Sequence, residues 1–374
     1  MPPTLCRYLF LLLLPILSYS QLKENKEKYY AGYKTIHTTD RSRQYKPGTN
    51  TTYHLYYRPV DIDIWYPAEK VETDSMMIYK EFLNLFVNRP NYYRDTVAAK
   101  GAINEMAKAF CDMNQCSDST KLLYFKTGSF KNAKPAKGKF PLVVYLASYG
   151  SSGFENFTLF EELTRQGFVV VSINSIGRFP GEMTMKYEDC MQQVYDAVFS
   201  LKYLSKAQNI NFSKIGIVGY SWGGMAASLL AGQVTNATCL ISLDGSEFHH
   251  YGSAKAEDDD FDGITNSKDF KNITIPYLRF EQSPPSSNSA KKDSVYNFSG
   301  KLSENNVMLK VNGAEHYHFC NLPFVVKTSG NCKDNGLYTI ITKLTISYLN
   351  DHLKRTNDFS KALAQEMDKT VRKK

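Results

Sequence analysis

The stretch with the clearest chemical content runs from Lys214 to Leu230, Lys-Ile-Gly-Ile-Val-Gly-Tyr-Ser-Trp-Gly-Gly-Met-Ala-Ala-Ser-Leu-Leu. Ile215, Ile217 and Val218 form a short apolar run suited to a buried strand, and Met225 to Ala231 is rich in helix formers. Between them lies Gly219-x-Ser221-x-Gly223, the pattern of a tight strand-to-helix turn that presents a serine hydroxyl as a nucleophile. Glycine is required on either side because a Cβ would collide where strand meets helix. A serine hydroxyl is a weak nucleophile at neutral pH, so Ser221 needs a histidine base and a carboxylate that orients it.

With this kind of turn the acid and then the histidine follow the serine along the chain. His316, in Asn312-Gly313-Ala314-Glu315-His316-Tyr317-His318-Phe319, follows an apolar strand and precedes the last long helix, as a base on a strand-end loop should. His318 is its rival two residues on, while His249, His250 and His352 read as surface residues. Asp244 ends the strand Cys239-Leu240-Ile241-Ser242-Leu243 and is the acid candidate; Glu281, one strand later, is the alternative. A tetrahedral oxyanion needs two preorganised backbone N–H groups. The first is expected from Trp222, directly after the nucleophile, and the second from Ser151 in the loop Tyr149-Gly150-Ser151. Tyr149 and Tyr220 are the aromatic candidates for substrate contact.

Positioning these groups requires strands alternating with helices, hence a mostly parallel sheet covered on both faces. Buried strands are expected at Pro141–Ala147, Gly167–Ile173, Cys239–Leu243, Pro276–Phe280 and Val307–Val311, with an amphipathic helix through Met191, Val194, Val198 and Leu201 and a final helix over Leu337–Leu353. Upstream, His54–Tyr57 and Val60–Trp65 alternate as paired strands separated by Pro59. One domain is expected over 51–374, preceded by a polar leader at 21–50. It carries a helical insertion at 74–121, packed over or beside the sheet, and an acidic insertion at 246–269.

The segment Arg58-Pro59-Val60-Asp61-Ile62-Asp63-Ile64-Trp65-Tyr66-Pro67 resembles the opening strands of the family that contains platelet-activating-factor acetylhydrolase and dienelactone-hydrolase-like esterases. Gly-Tyr-Ser-Trp-Gly-Gly, the Leu-Asp after the next strand, the Phe-Glu-Gln strand end and the His-x-x-Phe at His316 extend the likeness from about Tyr57 to Leu353. The resemblance implies an α/β-hydrolase fold and a serine esterase, and it favours Asp244 because such acetylhydrolases take their acid from the strand after the nucleophile. Three departures surround the site: Tyr149 stands where such enzymes usually have histidine, the 74–121 helices are larger, and the 246–269 insertion is its own. Aromatic residues at Tyr149, Tyr220 and Trp222 also resemble polyester or cutinase-type hydrolases. The expected substrate is a small-molecule, lipid or polymer ester. A peptidase or acyltransferase of the same fold, and a non-catalytic binding protein, are the competing readings.

Residues 1–20 have the pattern of a secretory signal peptide: Arg7, the apolar run Leu9–Leu17, then Ser18 and Ser20 before Gln21. A secreted or periplasmic protein with no membrane span after cleavage is expected. Export permits disulfides, and among the cysteines Cys111 with Cys116 and Cys320 with Cys332 are the close pairs, the latter expected to brace the histidine loop. Cys190 and Cys239 read as buried thiols. Asn-x-Ser/Thr sequons stand at Asn50, Asn156, Asn211, Asn236, Asn272 and Asn297. The net charge of +8 comes largely from scattered lysines without interleaved aromatics, which excludes a nucleic-acid surface. Catalysis needs no cofactor. A structural Ca²⁺ is expected from Asp258, Asp260, Asp262, Asn266 and Asp269, which with Gly263 and the Ile264 carbonyl match positions of an EF-hand-like loop. The alternative is a solvated acidic loop.

Overall fold

Apolar runs of β-branched residues set the centre of the molecule. Leu142, Val144 and Leu146 face one side of their strand and Val143 and Tyr145 the other, and all are buried, as a strand covered on both faces requires. A computed structural model describes residues 28–374 apart from 70–75, 117, 249–254, 284–297, 331, 333–334, 368 and 374, without the side chains of 255–258 and 299. The signal-like segment 1–20 lies outside the described residues.

The chain opens with β1 (Tyr30–Gln44), β2 (Tyr57–Ala68) and β3 (Met76–Ile78), then helices α1 (Tyr79–Arg94), α2 (Ala102–Met113) and α3 (Ser119–Leu123). It continues through β4 (Lys126–Lys131), β5 (Phe140–Leu146), α4 (Phe157–Arg165), β6 (Val169–Ile173), α5 (Tyr187–Leu204) and β7 (Ile210–Tyr220). After α6 (Trp222–Ala231) come β8 (Ala237–Leu243), α7 (Lys255–Thr265), β9 (Tyr277–Ser283) and β10 (Asn306–Asn312). The last elements are α8 (Leu322–Ser329), α9 (Leu337–Leu349), α10 (Phe359–Glu366) and β11 (Val371–Lys373).

The strands form one sheet in the order β11-β10-β9-β8-β7-β5-β6-β2-β1-β4-β3. From β10 to β6 neighbouring strands are parallel, and β2 joins β6 antiparallel. Helices α1, α4 and α9 bury Phe82, Phe157, Phe160, Ile341 and Leu344 against one face. On the other face α5, α6 and α7 bury Met191, Val194, Met225, Leu229 and Phe261. This is the α/β-hydrolase fold. The strand order turns around at β5: the chain crosses from β5 to β6 on one side, then returns to lay β7 on the other. A cleft opens at such a reversal, at the carboxyl ends of the strands.

Four expectations are corrected. The 21–50 leader is not irregular over its length, because Tyr30–Gln44 is a long strand paired with both β2 and β4. Its polar residues hide that Ala31, Gly32 and Tyr33 are all buried where the strand enters the sheet. His54–Tyr57 is not a separate strand either; the run from Tyr57 to Ala68 is continuous through Pro59 and Pro67. The acidic stretch is not a cation-binding loop. Lys255–Thr265 is helical rather than a wound loop, and Asp260 and Asp262, two positions apart, lie about 200° apart around it, so the loop spacing is not realised. Asp269 instead accepts a hydrogen bond from the Tyr187 hydroxyl.

Finally, the disulfide joins Cys116 to Cys332, leaving Cys111 and Cys320 as thiols. Proximity in sequence misled here, because α8 carries Cys332 back to the helical insertion while the Cys320 thiol contacts the Tyr317 carbonyl at 3.3 Å. The insertion packs on the sheet face, with the Phe82 ring stacked on Phe154 at 5.3 Å. Cys190 and Cys239 are fully buried, as expected. So is Asn156, whose side-chain amide bonds inside the fold, which takes that sequon away from modification in the native state. Peptide mapping without reductant should recover Cys116 linked to Cys332 and Cys320 as a free thiol; a Cys320–Cys332 peptide would contradict this pairing.

Glu161 on α4 is buried beneath β4, where its carboxylate accepts from Ser129 Oγ at 2.6 Å. Burial raises its pKa to about 7, against the opposing pull of Ser129 and Arg165. A carboxyl whose pKa is raised by folding binds more protons folded than unfolded, so it subtracts stability as pH rises from the ordinary carboxylate range to about 7. Glu161→Gln should therefore stabilise the protein more at pH 8 than at pH 5, by on the order of 3 kcal/mol. Urea midpoints at the two pH values test this, and equal differences at both would refute it.

Candidate active site

Gly219, Ser221 and Gly223 occupy the junction of β7 and α6, where neither glycine has room for a side chain. A Cβ on Gly219 would lie 2.1 Å from the Gly223 carbonyl oxygen, and one on Gly223 2.0 Å from that of Leu146. Ser221 itself holds φ 55° and ψ −123°, a region that costs a non-glycine residue about 1–3 kcal/mol. The surroundings overdetermine it. Its amide donates to the Leu243 carbonyl at 3.1 Å, and its own carbonyl accepts from Gly224 and Ser246, each at 2.9 Å.

His316 arrives on the short 3-10 turn His316–Phe319, which follows β10. Its Nε2 lies 2.8 Å from Ser221 Oγ and its Nδ1 2.7 Å from Asp244 Oδ2. A carboxylate can only accept, so Nδ1 carries the proton and Nε2 is left to accept from the serine hydroxyl. Asp244, fully buried, stands at the end of β8 with φ 47°. Its other oxygen accepts from the Gln282 amide at 3.1 Å, and its amide donates to the Phe280 carbonyl at 2.9 Å. Three residues spread over 95 positions of chain thus meet in one hydrogen-bonded relay.

The rival assignments have other employment. His318 is buried, accepting from the Glu315 amide at Nδ1 and pairing with Asn335 through Nε2, which secures the loop that carries His316. Glu281 pairs with Arg279 at 2.9 Å. Arg279 is wholly buried and also binds Glu247, Ser242 Oγ and the Gly245 carbonyl, so it ties together the strand ends on both sides of Asp244. An isolated Arg in a strand gave no sequence signal for this role.

Trp222 is the first residue of α6, so its amide has no partner within the helix and is available to an oxyanion at the positive end of the helix. Ser151 does not present a free amide. It donates to the Ser148 carbonyl at 3.0 Å, closing a tight turn, so this expectation is not met in the unliganded site. Tyr149 is exposed, with its ring edge-on to Trp222 at 6.0 Å and its hydroxyl donating to the Met183 carbonyl. This ties it to the loop that contains Met183, a contact hidden from sequence by its span of 34 positions. Tyr220, by contrast, is buried. As the last residue of β7 it stacks on the His316 ring at 5.1 Å and donates to the His316 carbonyl at 3.1 Å, so both its ring and its hydroxyl pack on His316. Among the described residues no cluster of His, Cys, Asp or Glu could hold a metal ion, and no helix is long and apolar enough to cross a membrane.

Residues 133–254 match the family model described as X-Pro dipeptidyl-peptidase (S15 family), and residues 199–317 that described as BAAT / acyl-CoA thioester hydrolase C terminal. Neither is the acetylhydrolase and dienelactone hydrolase family that the motifs resemble, and both spans contain Ser221 and Asp244. No curated protein matches the chain. A ferulic acid esterase from Streptomyces cinnamoneus is similar in fold, with a TM-score of 0.60 at 18% identity over 88% of this chain and 92% of that one. The fold and these partial matches agree in what the chain is similar to: hydrolases, and an esterase of the same fold.

The relay makes distinct demands on each member. Ser221→Ala and His316→Ala should each remove several orders of magnitude of turnover, since the members act as a unit. Asp244→Asn should cost roughly 10⁴-fold by favouring the wrong imidazole tautomer, as in serine proteases. Glu281→Gln should spare turnover and lower the melting temperature, because it removes one of the two carboxylate charges paired with the buried Arg279. Steady-state kinetics and thermal melts on the four variants check this; loss of turnover in Glu281→Gln with Asp244→Asn intact would move the acid to β9.

Proposed function

We propose that the protein is a secreted serine esterase that cleaves carboxylic esters through an acyl-enzyme. The observation that carries this reading is the unbroken path from Ser221 Oγ through His316 to the buried Asp244 carboxylate. Ser221 Oγ attacks the ester carbonyl carbon as its proton passes to His316 Nε2. The imidazolium, held by Asp244, then returns that proton to the departing alkoxide. Water, activated by the same histidine, attacks the acyl-enzyme carbonyl and frees the acid and Ser221. The Trp222 amide stabilises the oxyanion in both halves.

Tyr149 lines the acyl or alcohol side with an exposed ring, which favours an aromatic or otherwise flat substituent over a long, unbranched chain. The likeness to a ferulic acid esterase supports the same direction. Export is supported by the 1–20 pattern and by the Cys116–Cys332 bridge, since such bridges persist in oxidising compartments. A panel of p-nitrophenyl esters of increasing chain length, methyl ferulate, an X-Pro anilide and an acyl-CoA tests the reading. Short and aromatic esters should be turned over by the wild type and not by Ser221→Ala. Turnover confined to the anilide or to the thioester would replace the esterase reading with that of one of the two matching families.

A further inference from the structure

Glu155 is absent from the catalytic relay, yet it lies between the two loops on which that relay depends. Its Oε1 accepts from the Ser148 amide at 2.7 Å and from the Tyr145 hydroxyl at 2.9 Å, and its Oε2 accepts from Ser148 Oγ at 2.5 Å. The start of the Ser148–Ser151 turn is therefore tied to this carboxylate through both the amide and the hydroxyl of Ser148. That turn follows Leu146 and Ala147, the backbone on which Gly223 of the nucleophile elbow packs without room for a Cβ.

The other side of Glu155 faces the base. Its carbonyl accepts from the Asn321 amide at 3.1 Å, and Asn156 next to it donates from Nδ2 to the Phe319 carbonyl, also at 3.1 Å. Asn156 Nδ2 donates to the Tyr145 hydroxyl as well, at 2.7 Å, which closes the circuit back to the Glu155 carboxylate. The 3-10 turn that bears His316 ends at Phe319, so the circuit reaches the carboxyl end of the base segment.

We propose that Glu155 is a positioning residue whose carboxylate fixes the Ser148–Ser151 turn against the elbow while its main chain and Asn156 fix the segment that follows His316. The turn against which the elbow packs and the segment that carries His316 thereby keep one separation. This rests on the serine-hydrolase reading of Ser221. A turn that shifts by about 1 Å would cost on the order of 10²-fold in rate while leaving substrate affinity little changed.

The test counts active sites with a fluorophosphonate and measures kcat per labelled site and KM on p-nitrophenyl acetate. Glu155→Ala should lose about 10²-fold in kcat per site with KM nearly unchanged. Glu155→Gln keeps an oxygen for the Ser148 amide and lets the Ser148 hydroxyl rotate to accept, so it should recover most of the loss. Ser148→Ala should shift kcat in the same direction and add little in the Glu155→Ala background, as members of one network do. Wild-type kcat per site in Glu155→Ala, with only the number of labelled sites reduced, would show a purely structural residue and overturn the proposal. If Glu155→Ala does not fold, Ser148→Ala decides: reduced kcat at constant KM supports the proposal and wild-type kcat refutes it. A wild-type protein that takes no label would fail the hydrolase reading itself, a result separate from any variant.

Discussion

The site depends on backbone packed so closely that only glycine fits. With β5 and β7 side by side, the Leu146 carbonyl sits where a Gly223 Cβ would be, and the Gly223 carbonyl where a Gly219 Cβ would be. That contact forces the chain through a tight bend at Ser221 and holds its φ at 55°. The strain is sustained by the sheet: Ser221 bonds to β8 through Leu243, and Ser246 beyond β8 bonds back to Ser221. The same close approach sets the Ser148–Ser151 turn beside Ser221, because the chain leaves β5 through Ala147 directly into Ser148. The bend at Ser221 and the place of this turn thus follow from one packing constraint.

Acid and base are brought to this point by different means. Asp244 is delivered by the next parallel strand and locked to the β9 backbone, accepting from the Gln282 amide and donating to the Phe280 carbonyl, with the buried Arg279 binding the residues on either side of it. His316 rides on a short turn and is held by side chains: Tyr220 beneath its ring, His318 bonded to Glu315 behind it, and the Asn156–Phe319 contact at the end of the turn. A base on a turn has more freedom than an acid on a strand. The density of hydrogen bonds around Phe319 and Asn321 offsets that freedom.

Much of this was legible in the sequence because the relevant signals are local. The G-x-S-x-G turn lies between an apolar run and a helix-forming run, Asp244 directly follows an apolar strand, and His316 follows another. Where the signal was non-local, the reading failed. Tyr30–Gln44 looks like a leader until β2 and β4 supply its partners. Cys116 meets Cys332 across 216 positions, which no spacing rule reveals. The acidic stretch failed for a different reason: its spacing fits a cation loop, but Lys255–Thr265 forms a helix that buries Phe261 against Trp222 and Ile264 in the same cluster, and packing overrides the pattern. That Tyr220 packs on His316 was equally illegible, because the two residues lie 96 positions apart.

The central claim is that Ser221 becomes covalently acylated with His316 and Asp244 driving the step. Mixing the protein with a slowly deacylating aryl ester, quenching in acid and mapping peptides by mass spectrometry tests it directly. The account predicts an added mass equal to the acyl group on the peptide that contains Ser221, forming in the wild type and failing to form in Asp244→Asn on the same timescale. Acyl groups found on Cys320 or another side chain, or turnover with no acylated peptide at all, would contradict it.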